Sequence, residues 1–313
     1  MKIEDGLVID ASPEDIVDGV LRFPDEAKRI HPVFFKGINS ITIAGKGREV
    51  KTVDFNNVEY LSKAYVTWGI GIFSHIFPNA CVVIAPKLKI VPCAFFEGFS
   101  GADAENKLTK VVLSEAETVG EKAFYCARAL NSVYLPKVKS IGLEAFRYCY
   151  NLKTLDVCSS ITIEAMAFAN SGVEWIDCGT ATVDRNVFGS GLKTLRINNI
   201  SQLHKLSVYD CNSLEAIILK EAVNGKRKKF PYTFSGKAYR IVVGDEQFEC
   251  YSNHSEDACA YKVSQSFEIG DKKFAQVYCL DTGGYFAKTD TALSHKLLTE
   301  EEMFKWLKSQ GVI

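Results

Sequence analysis

Leu130-Asn-Ser-Val-Tyr-Leu-Pro-Lys-Val-Lys-Ser-Ile-Gly-Leu-Glu-Ala-Phe-Arg-Tyr-Cys149 carries apolar residues at Leu130, Val133, Leu135, Ile141 and Phe146, separated by steps of 3, 2, 6 and 5. The same steps recur one copy earlier, at Leu108, Val111, Leu113, Val119 and Phe124, and one copy later, at Leu152, Leu155, Val157, Ile163 and Phe168. A fourth copy, Val173, Ile176, Cys178, Val183 and Phe188, is one residue short, and a fifth, Leu192, Leu195, Ile197, Leu203 and Val208, restores the spacing. A sixth begins at Leu214, Ile217 and Leu219. In a chain that is 47% apolar, five complete copies without one polar residue in a column arise by chance about once in 10⁸, before allowance for chosen gaps.

A turn of about 22 residues cannot bury its apolar side alone, so the copies must stack. The L-x-x-L-x-L stretch predicts a short strand, followed by a second extended piece that ends in the Phe. Stacking aligns the columns into one core, and strand alternation sends the intervening residues to solvent. Ala94, Ala123, Ala145 and Ala167 precede the Phe column, where a methyl lets neighbouring turns approach closely. The predicted fold is a β-rich repeat solenoid with an irregular α+β C-terminal cap or small domain.

The opening stretch resembles the BspA-like class of leucine-rich repeats, whose consensus contains L-x-x-I-x-I-P, S-I-G and A-F-x-x-C in that order. The resemblance covers roughly residues 18–235. It implies a leucine-rich repeat fold and, because such repeats are overwhelmingly interaction modules, a binding role. Well-known members are exported surface proteins, whereas Glu4, Asp5 and Asp10 here interrupt the apolar core that a secretory signal needs. A cytoplasmic location is therefore expected.

Towards the N-terminus the columns continue through Leu21, Phe23, Ile30 and Phe35, then Val50, Val53, Phe55, Leu61 and Val66, then Val82, Ile84, Ile90 and Phe95. From Val66 to Asn79 and from Phe95 to Leu108 the step is 13 rather than 6, an insertion of seven residues in each of two consecutive turns. Insertions at one point of a repeat fall on one side of the stack. Residues 1–236 are expected to form the solenoid with its N-terminal cap. Residues 237–313 lose the period and read as strands at Tyr239–Val243, Gln247–Tyr251, Ser266–Ile269 and Phe274–Leu280, with a closing helix from about Glu300 to Gln310. Thr299 and Glu302 form its capping box, Gly311 its stop, and Met303, Phe304, Trp306 and Leu307 its apolar face.

Composition narrows the function. The 313 residues include 37 Lys and Arg against 38 Asp and Glu, a net charge of −1 that offers no field for nucleic acid or an anionic membrane. The most apolar stretch, Val66–Phe77, is broken by Thr67, Ser74 and His75 and falls short of the roughly 18 residues of a membrane span. The basic run Gly225–Lys229 reads as a solvated loop. Of the ten cysteines, Cys178 fills a Leu column, and Cys149 and Cys211 follow the Phe column by three residues, where other turns have Ala127, Ser171 and Gly191. They are expected to be reduced packing residues. Cys250, His254 and Cys259, with Cys279 more distant, lack the second close pair of a structural zinc site, so no metal is expected. Neither a Walker loop nor G-x-G-x-x-G nor H-E-x-x-H occurs, and no cofactor is expected.

What remains informative is the outward ladder of the strands, whose residue types the core does not dictate. One rung series is Lys110, Ser132, Thr154, Trp175 and Thr194; the other is Val112, Tyr134, Asp156, Asp177, Arg196 and Ile218. Tyr134, Asp156, Trp175, Asp177 and Arg196 combine aromatic anchors with charges, as protein interfaces do. Trp68, Phe73 and Phe77 of the first insertion add an apolar patch. The sequence thus predicts a non-enzymatic scaffold, inhibitor or effector that binds a protein partner. The alternative is a ligand-binding or enzymatic C-terminal unit targeted by the repeats.

Overall fold

The computed structural model describes residues 1–30, 46–61, 72–98, 106–157, 161–204, 206–221, 230–231, 233–235, 237–251, 259–269, 272–280, 284–289 and 300–311. The repeats lie in two rows of short parallel strands. In the front row Val20–Arg22, Thr52–Asp54, Val82–Ile84, Lys110–Val112 and Ser132–Tyr134 pair side by side, with Ile16–Val17 added antiparallel at the first of them. A second front group runs Trp175–Gly179, Thr194–Ile197, Ala216–Leu219, Tyr239–Val243, again in parallel. The back row pairs Ile90–Val91, Thr118–Val119, Ser140–Ile141, Thr162–Ile163 and Thr182–Val183. Nearer the N-terminus, Leu7–Asp10, Arg29–Ile30 and Tyr60–Leu61 form a separate back group. This is a leucine-rich repeat fold, rich in strand and, among the described residues, with α-helix only at Ile72–Ile76 and Glu300–Ser309.

Burial follows the columns. Of the twenty-five positions, all are buried except Val133, Val157 and Leu203, which are partly buried and pack on the same core. The Phe column stacks ring on ring: Phe124 to Phe146 at 5.3 Å, Phe146 to Phe168 at 5.5 Å and Phe168 to Phe188 at 6.1 Å, with interplanar angles of 15°, 3° and 9°. Each such pair contributes about 0.5–1.5 kcal/mol beyond its burial. Ala123, Ala145 and Ala167 are fully buried beside it, and the same place in the fifth copy is taken by Ser207. Its hydroxyl donates to the carbonyls of Asp184 at 2.8 Å and His204 at 2.7 Å, which removes the cost of burying it.

Around each ring the backbone turns left-handed twice: at Lys122 and Cys126 about Phe124, Glu144 and Tyr148 about Phe146, and Met166 and Asn170 about Phe168. That conformation aims the N–H of these residues at the next turn, as from Lys122 to Leu143 O and from Cys126 to Arg147 O, both 2.9 Å. Gly172 marks the tightest approach between turns. A Cβ on it would lie 1.9 Å from the Tyr150 carbonyl oxygen.

Three sequence expectations are corrected. In the turn before Leu108 the buried column is Val83, Ala85, Val91 and Phe96, while Ile90 is 56% exposed. Val83 sits opposite Val111, and the Phe96 N–H donates to Ala123 O as that of Phe124 donates to Ala145 O. The true columns lie one residue later than Val82, Ile84, Ile90 and Phe95, and a one-residue slip exchanges the two faces of a strand. By that register Ala94 leaves the alanine column and Phe95 enters it, and the step from Val82 to Lys110 carries six extra residues, not seven. Phe73 and Phe77 are core residues, 2% and 1% exposed, stacked at 6.3 Å, with Phe73 edge-on to Phe55 and Phe95. The Ile72–Ile76 helix folds inward because Phe55, Phe95 and Phe96 offer it an apolar floor. Phe304 of the last helix is 52% exposed, whereas Leu307 is buried. Phe35, Val66, Trp68, the 225–229 run and Thr299 lie outside the described residues.

Past the repeats the second front group continues as an antiparallel meander, Tyr239–Val243, Glu246–Tyr251, Cys259–Ile269, Lys272–Cys279 and Gly284–Thr289. Ile241, Phe248, Cys250 and Ala260 belong to the same buried cluster as the repeat columns. Tyr261, Val277, Cys279 and Phe286 form a second, smaller cluster. The Glu300–Ser309 helix ends where Gly311, at φ 64°, reverses the chain and donates to Lys308 O at 3.0 Å.

Candidate functional site

The back row runs without interruption from Ile90 to Val183, but the front row does not. Ser132–Tyr134 ends the first front group and Trp175–Gly179 begins the second. Between them pass residues 154–157 of the third copy, joined to the second group only by a bridge from Thr154 to Trp175. Asp156 has no ladder partner in Tyr134, although the 22-residue step that pairs Lys110 with Ser132 would put them opposite. At this seam the core-column residues Val133 and Val157 are only partly buried, unlike their counterparts in the neighbouring front strands.

Leu155, Asp156, Val157, Trp175, Asp177 and Lys220 line a groove of about 250 Å³ here. Trp175 is 37% exposed and Tyr134, two turns away, 55%. Asp177 is shared between Lys220 at 3.4 Å and Arg196 at 3.8 Å, and its carboxylate also accepts from Gly179 N at 2.9 Å, which holds the bulge that ends the strand. Asp156 is exposed and has no cationic partner among the described residues. Behind Trp175, Glu174 is held by Lys193 at 2.8 Å and Lys153 at 3.0 Å, and these two ammonium groups, Lys193 foremost, lower its pKa.

The structure therefore brings Asp156, Trp175 and Asp177 into one groove, with Arg196 joined to it through Asp177. Tyr134 stands on the same face outside the groove. Lys220, which sequence reasoning missed, follows the last Leu column of the sixth copy and reaches back two turns to Asp177. Phe73 and Phe77 contribute to the core, not to this surface, and Trp68 lies outside the described residues.

Elsewhere the chemistry is that of packing. Burial raises the thiol pKa of Cys149, Cys178 and Cys211 well above the usual range, as their column positions require. Cys250 is opposite Ala260 and Cys279 opposite Tyr261, on opposite faces of one sheet and in different apolar clusters, so they cannot share a metal; His254 lies outside the described residues. Glu97, next to Phe96, is 9% exposed. Its burial pushes the carboxyl up to about 7, against the pull of Lys122 and with smaller upward contributions from Glu121 and Glu144. Among the described residues no helix is long and apolar enough to cross a membrane.

Two rows of parallel strands on a period near 22 residues, an apolar column at every turn and a Phe stack define a leucine-rich repeat protein. Residues 117–237 match the BspA type leucine rich repeat region in six copies. Among solved structures it is similar to a leucine-rich repeat protein from Bacteroides ovatus ATCC 8483, with 13% identity over 78% of this chain and 70% of that one and a TM-score of 0.30. No curated protein matches it.

Proposed function

We propose that this protein is a non-enzymatic scaffold or inhibitor, a leucine-rich repeat solenoid over residues 1–236 closed by residues 237–313, that engages another protein through its front face around Trp175. The observation that carries this reading is the groove in which Asp156, Trp175, Asp177 and Lys220 converge on exposed strands. A large, partly exposed aromatic ringed by charges is the composition of an interface centre, and strands locked in a stack lose little freedom on binding. The shared core of Ile241, Phe248 and Cys250 with the repeats supports reading the C-terminal strands as a cap. The packing use of Cys149, Cys178 and Cys211 supports a reducing, cytoplasmic setting.

The test is affinity capture from the native cell with the wild-type chain and with the Trp175→Ala/Asp177→Arg double variant, followed by mass spectrometry. The variant should lose the partner while keeping its thermal unfolding profile. Identical captured sets would remove the front face from the reading.

A further inference from the structure

We propose that the seam in the front row is a docking slot for an extended, basic segment of a partner protein, laid along residues 154–157 with an Arg or Lys side chain over Trp175 and against Asp156. This rests on the binding reading above and adds the chemistry of what is bound. Three independent features converge on the seam. First, residues 155–157 and the seam-facing edges of Ser132–Tyr134 and of Trp175–Gly179 beyond Trp175 are not laddered, so the seam is where the described front strands stop pairing. Unpaired strand edges take up extended peptides by main-chain pairing. Second, Val133 and Val157 are incompletely buried at columns that are closed in every neighbouring front strand, which leaves an apolar opening for a side chain of the incoming segment. Third, the charges are not balanced. Asp177 is already claimed by Lys220 and Arg196, whereas Asp156 lines the same groove without an ion-pair partner among the described residues, and Trp175 supplies a ring face. A carboxylate without a partner next to an exposed indole is complementary to a guanidinium or ammonium, through an ion pair and a cation–π contact.

The experiment uses the full chain and a phage library of random linear octapeptides, with winners resynthesised and titrated by fluorescence anisotropy. Enriched peptides are expected to carry an Arg or Lys flanked by β-branched or aromatic residues. Asp156→Lys should weaken their binding at least tenfold and Trp175→Ala comparably, with unchanged circular dichroism melts, since both side chains are exposed. Methylating alternate backbone nitrogens of the winning peptide should abolish binding if main-chain pairing operates. Absence of enrichment, acidic winners, indifference to Asp156→Lys, or tolerance of every backbone methylation would each overturn the proposal. Concentration-dependent dimerisation of the free chain that Asp156→Lys abolishes would assign the seam to a second copy and overturn it equally. If Trp175→Ala abolishes peptide binding but Asp156→Lys does not, the front-face reading survives and only the basic-segment chemistry falls.

Discussion

Within a single turn, residues 152–168, the two sides of the stack behave oppositely. On the back, Thr162–Ile163 is laddered to both neighbours and Phe168 is sandwiched between Phe146 and Phe188. On the front, residues 154–157 hold on by one bridge, and Val157 is half-covered. One continuous wall suffices to keep turns in register, because parallel pairing and the Phe stack act on the same residues. The other wall is then released from its structural duty, and the side chains with interface character are found there.

This contrast can be broken by measurement. Phe168→Ala removes the ring at the centre of the stack and should cost about 3–5 kcal/mol in urea unfolding. Gly172→Ala pushes a methyl into Tyr150 O across the tightest contact and should cost about 1–3 kcal/mol. The turn three copies earlier sharpens the point with charge. Glu97 has a folded pKa raised from 4.5 to about 7, so its contribution to stability is fully present below the lower value and is lost as pH rises through the upper one. Thermal unfolding followed against pH should show that decline, and Glu97→Gln should flatten it. On the front, Val157→Ala should cost about 1–2 kcal/mol, less than Phe168→Ala, since Val157 is smaller and only partly buried. If it costs as much as Phe168→Ala, the seam is closed in solution and the contrast fails. Least of all, Asp177→Ala breaks two exposed ion pairs and should change stability by under about 1 kcal/mol, while weakening any partner that uses the groove.

Much of this was legible from the residues alone. The five regular copies placed their columns correctly because each offers one apolar set with one spacing, and the outward rungs Trp175–Thr194 and Asp177–Arg196 pair as the spacing predicts. The turn at Cys81-Val-Val-Ile-Ala failed because adjacent apolar residues make both faces of the strand look buried, and the Phe95-Phe96 pair gives no local reason to prefer either ring. The inward fold of Phe73 and Phe77 depends on Phe55, Phe95 and Phe96, whose convergence no local pattern encodes. The seam was invisible for a different reason. Hydropathy records that Val157 is apolar, not whether its backbone is laddered, and Lys220 joins the groove only through a long side chain that spans two turns.

The left-handed residues around each ring carry a separate consequence. Lys122, Glu144 and Met166 hold a conformation that costs an L-residue about 1 kcal/mol and glycine almost nothing. Glu144 also pairs with Arg147 and Lys122, which its replacement would break, so it is at Lys122 and Met166 that the fold keeps a reserve for thermal engineering. Glycine or asparagine at these repeated corners would relieve local strain turn by turn, independently of both the aromatic stack and the front groove, and heat tolerance could be raised along the array without rewriting what it recognises.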